Sequence, residues 1–449
     1  MYDIILPIRF FLRRRITILA VLAVAICVFT VVVVMTVMTG LVKDYTNKNH
    51  EFYSDCIVWT DSLVGFGMYE EFIDELRKTD FVASASPVIN SFGLVQMNSS
   101  NSSTATTLMG IDIKRHIKTT NFAQTLYYSA AHPELAFIPE DANLAGCITG
   151  VDLTTERTER GTYLQLSYVP GWSYTITCFP LTPKGAIVKT GTTMAANSKV
   201  FHYSDNSNSG LAKVDSTYVY IPFDQLQRLC GMDTAAKRTN AIFIKFVNGS
   251  NIVDCTKEVA DMWRAFIAKN SDFALADLFK NVSVADWKTY RRDTIAPMEK
   301  EQIMLILLFL LVGLITVFII FVIFYMIISR KSKDIGILKS LGVSKTGVVR
   351  VFLRLAFLIG LCGSAFGIVA ALAFLANANR LEEWLYNQFG FQLWNREIYA
   401  IGEIPHNAGA ILLTIVAVSA VAACLLGALV PTLGAAKMKC VDVLRVNKL

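Results

Sequence analysis

The Lys345-Thr346 pair within LGVSKTG (341–347) is where nucleotide chemistry would have to start. A phosphate-binding loop ends in a lysine and a hydroxyl, after glycines that let backbone N–H groups close on the phosphates, in the pattern G-x-x-x-x-G-K-[ST]. Counted back from Lys345, the two glycine positions hold Lys339 and Ser344, so the loop cannot form here. G-x-S-x-G, H-E-x-x-H and C-x-x-C are likewise missing from the chain, and its histidines are scattered. Catalytic, metal-binding and cofactor-binding residues are therefore expected to be none. Any energy must then arrive from another subunit, and this chain is expected not to be an enzyme.

The elements around this pair explain why a charged stretch matters. The chain has 449 residues, 53% of them hydrophobic and only 17% charged, against about 25% charge in ordinary soluble domains. Residues 16–42, 303–328, 355–376 and 408–430 carry no charge. Each meets the requirement of about 20 apolar residues for crossing the bilayer. The first apolar run is too long for a signal h-region and has no small-x-small cleavage site after it, so it is expected to stay as an anchor. Over its charge-free residues the second span covers roughly 39 Å at 1.5 Å per residue, longer than the hydrocarbon. Its helical pattern continues back through EKEQ (299–302) to Pro297, and the first span runs past Lys43 toward Tyr45, as if both helices left the membrane as stalks.

Charge in the flanks sets orientation, because Lys and Arg collect in cytoplasmic loops. Arg9, Arg13, Arg14 and Arg15 precede the first span. Arg330, Lys331, Lys333, Lys339, Lys345 and Arg350 face Asp334 alone in 329–350, and Lys437, Lys439, Arg445 and Lys448 face Asp442 in the tail. The loop 378–407 has Arg380 and Arg396 against Glu382, Glu383, Glu397 and Glu403. Both termini are thus expected in the cytoplasm of a bacterial inner membrane protein. The net charge of +6 follows from this asymmetry and calls for no nucleic acid.

The expected fold is a polytopic α-helical membrane protein of four transmembrane helices, with a large mixed α/β extracytoplasmic domain between the first and second spans. Its parts are an interfacial amphipathic segment 1–15, spans 16–42, 303–328, 351–377 and 408–430, and the periplasmic α/β domain with stalk, 43–302. A coupling segment 329–350, the short loop 378–407 and a cytoplasmic tail 431–449 complete it. In the domain, strands are predicted at 56–60, 91–97, 162–169, 173–179, 217–221 and 241–247, from β-branched and aromatic runs between turn formers. Helices are predicted at 67–79, 223–231 and 252–269, the last with Val253, Val259, Trp263, Phe266 and Ile267 as its core stripe. The alternation suggests two lobes. NSSNSST (98–104) and HYSDNSNSG (202–210) read as flexible turns or hairpin tips. Cys56, Cys147, Cys178, Cys230 and Cys255 fall in this domain, and spacing alone does not pair them.

Between the second and third spans, Ile335, Leu338 and Leu341 recur at helical spacing and Ile337 pairs with Leu341, which makes one apolar side. Gly342 is placed to end the helix, and Ser344 to cap the next. Such a segment either orients the chain at anionic headgroups or docks a cytoplasmic partner. In the third span Gly360, Gly363 and Gly367 mark a small-residue face for close helix packing.

These residues carry a resemblance. RKSKDIGILKSLGVSKTGVVRVFL (330–353) is similar to the coupling segment of FtsX-like/MacB-like ABC transporter permeases, matching at Asp334, Ile335, Gly336, Ile337, Leu338, Lys339, Leu341 and Gly342. The family favours Glu at the position of Asp334. PTLGAAKMKCVDVLRV resembles the family's ending at Pro431, Ala435, Ala436, Leu444 and Arg445, with Cys440 where the family prefers proline. Gly360, Gly363 and Gly367 also correspond. Val37, Met38, Gly40 and Leu41, with LMGIDI (108–113) and GCITGVDL (146–153), resemble the lipoprotein-releasing (Lol-type) branch.

The resemblance implies a permease subunit that pairs with a second permease, as homo- or heterodimer, on a cytoplasmic ABC ATPase dimer. ATP hydrolysis there would move the coupling helix, and lipoproteins would pass from the inner membrane to a periplasmic lipoprotein carrier, with membrane lipid as a further partner. The alternative is a MacB-like exporter or an FtsX-like mechanotransmitter regulating a cell-wall hydrolase or sensor.

Overall fold

A computed structural model describes residues 15–98, 103–156, 163, 171–190, 193–234, 236–390 and 405–437. The interfacial segment before Arg15, most of the strand expected at 162–169, and the tail with Cys440, Leu444 and Arg445 lie outside the described residues. The helices that matter below are α1 (Arg15–Tyr53), α2 (Tyr69–Leu76), α3 (Ile113–Thr119), α4 (Phe223–Leu229), α5 (Ile252–Lys269), α6 (Arg292–Arg330), α7 (Ser332–Ser340), α8 (Lys345–Phe389) and α9 (Ala410–Lys437). The chain divides into two compact units, one of residues 44–296 and one of the flanking membrane helices.

In the helical unit α1, α6, α8 and α9 are long and apolar enough to cross a membrane. Their inward faces form one apolar core, with Val24 and Val28 of α1, Ile320 and Phe324 of α6, Leu355 and Ile359 of α8 and Ala428 of α9 fully or nearly fully buried. Their outward faces leave Leu22, Leu310, Phe318, Val369, Ile415 and Val418 exposed. So much exposed apolar surface is stable only against lipid.

The helices outrun the apolar runs that announce them. α1 continues to Tyr53 rather than stopping near Tyr45, and α6 starts at Arg292 rather than at Pro297. Thr294 and Ile295 donate their N–H groups to the carbonyl of Arg291 at 3.1 and 3.0 Å. The helix is therefore under way before Pro297, which removes a single ladder bond. α8 runs on to Phe389 and is closed by Gly390 at φ +64°, so residues 378–389, expected as loop, are helical. α9 passes through Pro431 to Lys437. Charge marks where lipid ends, whereas backbone hydrogen bonding decides where a helix ends.

The 44–296 unit is built on one nine-stranded sheet. Its strands are β1 (Cys56–Thr60), β2 (Val82–Met97), β3 (Ser103–Ile111), β4 (Gly146–Gly150), β5 (Ser173–Cys178), β6 (Asn197–Ser207), β7 (Tyr218–Pro222), β8 (Ala241–Phe246) and β9 (Val282–Asp286). The order is β9-β1-β8-β2-β3-β7-β4-β6-β5, and β5 also pairs with β2, so six strands close a circuit. β3–β7 and β4–β6 are parallel; the other pairs are antiparallel. This continuous sheet replaces the two lobes suggested by the sequence. The β2–β3 hairpin pairs Gln96 with Ser103 and Val95 with Thr104, so the end of the NSSNSST segment is already strand.

One apolar cluster joins α2, α4 and α5, with Phe72, Leu226, Val259, Trp263 and Phe266 buried. A second gathers Phe52, Tyr53, Phe122, Tyr220 and Phe243. In α5 the expected stripe loses Val253, which is 54% exposed in the first turn beyond the Asn251 cap.

HYSDNSNSG is not a loose turn. His202–Ser207 belong to β6, and Ser204, Asp205, Asn206 and Ser207 are buried. The Asp205 carboxylate accepts the backbone N–H groups of Tyr127, Tyr128, Ser129 and Asn206 at 3.2, 2.9, 2.8 and 2.7 Å. Asn206 Oδ1 accepts from Thr149 and Thr154 at 2.8 and 2.9 Å. Polar side chains enter a core when every group finds a partner, and these do.

His116 of α3 is enclosed beside Phe122 and Phe243. Burial pushes its pKa down from 6.5 to about 3. The unfolded chain takes up this proton as pH drops below 6.5, while the folded one stays neutral until about pH 3. The stability lost over that window is about 1.4 kcal/mol per pH unit. In thermal unfolding of the purified protein between pH 7 and 4, His116→Leu is expected to flatten the acid decline. A slope equal to the wild type would show that His116 does not drive it.

Candidate functional site

α7 is a short helix hung between two membrane-length ones. At its start Lys331 donates its N–H to the carbonyls of Ile327 and Ile328 at 3.0 Å, and its own carbonyl accepts from Ile335 at 3.0 Å. α6 thus turns into α7 at one residue. The Lys331 ammonium pairs with Asp334. At its end Leu341 donates to Ile337 O at 3.1 Å and Gly342 to Lys339 O at 3.1 Å. Gly342 has φ +90°, a conformation a side chain would strain. Ser344 Oγ then accepts the N–H of Gly347 at 3.1 Å and opens α8.

The apolar side expected of this helix is divided. Ile335 is 2% exposed and sits in the core of the helical unit with Phe324, Val348 and Phe352, and Gly336 is also buried. Ile337 is 51% exposed and Leu341 76% exposed. Leu338 lies on the same helix, one residue before Lys339. Lys339 turns toward the bundle, where its ammonium donates to Ala436 O at 2.9 Å. A lysine at the C-terminal carbonyls of α9 is favoured by the helix dipole. One side of α7 is therefore tied to the membrane helices while Ile337 and Leu341 point away from that core.

The close approach expected at the α8 glycines is present in the geometry. A Cβ on Gly363 would fall 2.8 Å from Val24 Cβ, and one on Gly367 would fall 2.6 Å from the Ala25 carbonyl oxygen, both on α1. At Gly360 it would meet Val421 Cα of α9 at 2.9 Å. Sequence reasoning missed Gly427 of α9, where a Cβ would lie 2.5 Å from Val317 O of α6. Its signal was available, since Ala423 and Gly427 repeat the small-x-x-x-small spacing.

Two spaces open among the helices. A cavity of about 600 Å³ is lined by Val28, Val31 and Met35 of α1, Phe309 and Leu310 of α6, and Ile415 of α9. A groove of about 630 Å³ between α8 and α9 has Leu353 and Phe357 in its floor and Lys345, Arg350, Arg354 and Lys437 around it.

Comparison with known proteins agrees with this arrangement. Residues 306–440 match the FtsX-like permease C-terminal family, and residues 17–153 match the MacB-like periplasmic core domain. These two matches make the chain similar to FtsX-like/MacB-like membrane permeases of ABC transporters. The curated relatives it matches are named as lipoprotein-releasing transmembrane proteins.

The lipoprotein-releasing system transmembrane protein LolC of Xylella fastidiosa (strain Temecula1) is 24% identical over 162 residues, covering 36% of this chain and 39% of that one. LolC of Neisseria meningitidis serogroup B is 27% identical over 124 residues, 28% and 30% of the two chains. The matched part is thus about two fifths or less of these relatives' length. Among solved structures, the periplasmic region of MacB from Actinobacillus actinomycetemcomitans overlaps 56% of this chain and 97% of its own at 12% identity and TM-score 0.31. The extracellular domain of the noncanonic ABC-type transporter YknZ from Gram-positive bacteria overlaps 49% and 95%, at 12% identity and TM-score 0.28.

The glycine contacts give a graded expectation. Gly367→Val pushes a side chain into backbone, which cannot yield as a flexible side chain does, and should destabilise the detergent-solubilised protein by about 1–3 kcal/mol. Gly434→Ala, with nothing within 4 Å of the added carbon, should leave the unfolding midpoint unchanged. Equal midpoints for both variants would show that α1 and α8 do not depend on this approach.

Proposed function

We propose that this permease works with a second permease and a cytoplasmic ABC ATPase dimer, and that α7 is where the ATPase, loaded with ATP-Mg, engages it. The observation that carries the reading is the division of α7. Ile335 and the Lys339–Ala436 contact fix it to the membrane helices, and Ile337 and Leu341 are left to enter a partner. A helix held in this way moves with α6, α8 and α9 rather than by itself, because packed interfaces shift as units. Asp334, Gly336 and Gly342 set its start, its closeness to the core and its end. Both termini and α7 lie in the cytoplasm, which the Lys and Arg of 329–350 support.

The cargo is lipoprotein, released from the inner membrane to a periplasmic carrier. Sequence likeness to lipoprotein-releasing permeases supports this, as does the apolar cavity between α1, α6 and α9, whose lining suits acyl chains. The helices α1 and α6 each continue unbroken beyond their apolar runs, to Tyr53 and from Arg292. Motion at α7 has a covalent helical route past the lipid.

Ile337→Asp combined with Leu341→Asp should leave membrane insertion intact and lower ATPase co-purification in mild detergent at least about tenfold, as loss of a buried apolar anchor does. Leu338→Asp and a bulky residue at Gly336 should uncouple ATP hydrolysis from lipoprotein release. Undiminished recruitment in the double variant would remove α7 from the interface. Capture of a cell-wall hydrolase by the 44–296 domain, in place of a lipoprotein carrier, would favour regulation over transport.

A further inference from the structure

Two cysteines of the extracytoplasmic domain meet although they are far apart in sequence. Cys178 ends β5, and Cys230 is the C-terminal cap of α4. Three contacts fix their neighbourhood. Cys178 pairs in register with Asn197 of β6. Asn197 Nδ2 donates to the carbonyl of Leu229, the residue before Cys230, at 3.0 Å. Pro180 Cβ lies 3.0 Å from where a Cβ on Gly231 would be. Both cysteines are buried in the same apolar core, at 1% and 6% exposure, and each thiol is near enough to act on the ionisation of the other. The other cysteines of the domain are placed differently. Cys56 lies on β1 and Cys147 on β4, and burial is the main influence on each thiol.

We propose that Cys178 and Cys230 are joined by a disulfide in the mature domain. Both are thiols in this structure. Joining them forms one S–S bond and releases two protons and two electrons. A thiol-disulfide oxidoreductase of the extracytoplasmic space takes them, its own disulfide being reduced to a dithiol. Disulfides persist in that compartment and not in the cytosol. Exchange proceeds through an exposed thiolate, so the bond forms on the folding chain, before α4 closes over the end of β5. The cross-link then holds the strand that completes the sheet circuit to the helix packed beside it, and it constrains the unfolded chain over the whole segment between them. The inference needs the domain to be outside the cytoplasm and does not depend on the cargo or on α7.

The full-length protein, made in membranes of a Gram-negative host and extracted in mild detergent, should be denatured in excess N-ethylmaleimide without reductant, digested and mapped by mass spectrometry. The expected result is a linked peptide pair containing Cys178 and Cys230 that disappears on phosphine reduction. In Cys178→Ser and in Cys230→Ser the remaining thiol should become alkylated, while Cys147→Ser keeps the link. Reduction should lower the thermal midpoint of the domain by about 5–10 °C. Maleimide on both cysteines of the wild type, or linkage of either to another cysteine, overturns the proposal, and this map decides even if a serine variant does not accumulate. Labelling of Lys257→Cys in intact cells by a membrane-impermeant maleimide separates the causes. Outside labelling with free thiols removes the disulfide alone, and labelling only after lysis removes the placement of the domain on which it rests.

Discussion

Everything in the helical unit depends on how closely α8 can approach its neighbours. In lipid there is no water to drive apolar surfaces together, so helices associate through contact at short range, which small residues permit. Gly363 and Gly367 bring the backbone of α8 onto α1, Gly360 brings it onto α9, and Gly427 brings α9 onto α6. The four helices are thereby linked in pairs through backbone contacts that a single added carbon would spoil. The branched residues that fill the core, such as Val24, Val28 and Ile320, sit at these same crossings, so glycine on one helix receives a β-branched side chain from the next.

α7 inherits its position from that packing. Its buried residue Ile335 is held by residues of α6 and α8, and the Lys339 ammonium reaches a carbonyl of α9. A helix of nine residues is too short to be stable by itself in water. It exists because Lys331 continues the hydrogen bonding of α6 and because Gly342 and Ser344 let the chain turn directly into α8. An amphipathic turn lying on headgroups would bury all its apolar residues on one side. Here Ile335 is in the protein core while Ile337 and Leu341 are exposed, so the described apolar residues fall on two sides.

Much of this was legible in the sequence, and the exceptions share a cause. The four spans, the positions of β1, β5, β7, β8, α2, α4 and α5, and the small-residue face of α8 all follow from local periodicity, which needs no knowledge of partners. What sequence could not give was where side chains find long-range satisfaction. Helical spacing put Ile335 and Leu341 on one side, because a 3.6-residue period cannot tell a buried position from an exposed one. The loop expected at 378–389 is helix since absence of lipid does not end hydrogen bonding. Cys178 and Cys230 come together only through the β5–β6 register and the Asn197–Leu229 contact.

The strand β6 shows the same limit from the other direction. By composition Ser204–Ser207 belongs in a turn, and its burial is decided by donors far along the chain: the N–H groups of 127–129 and the hydroxyls of Thr149 and Thr154. A buried carboxylate such as Asp205 is tolerable when backbone N–H groups converge on it, and those donors are themselves in a segment that lacks sheet partners at 128 and 129. The two needs cancel. The irregular chain between α3 and β4 obtains an acceptor for its orphan donors, and β6 obtains a reason to lie inside with polar side chains, next to β4 in parallel register. That mutual satisfaction, together with the burial of Phe201 and Tyr203, places β6 between β4 and β5, where the sheet turns back on β2 and closes.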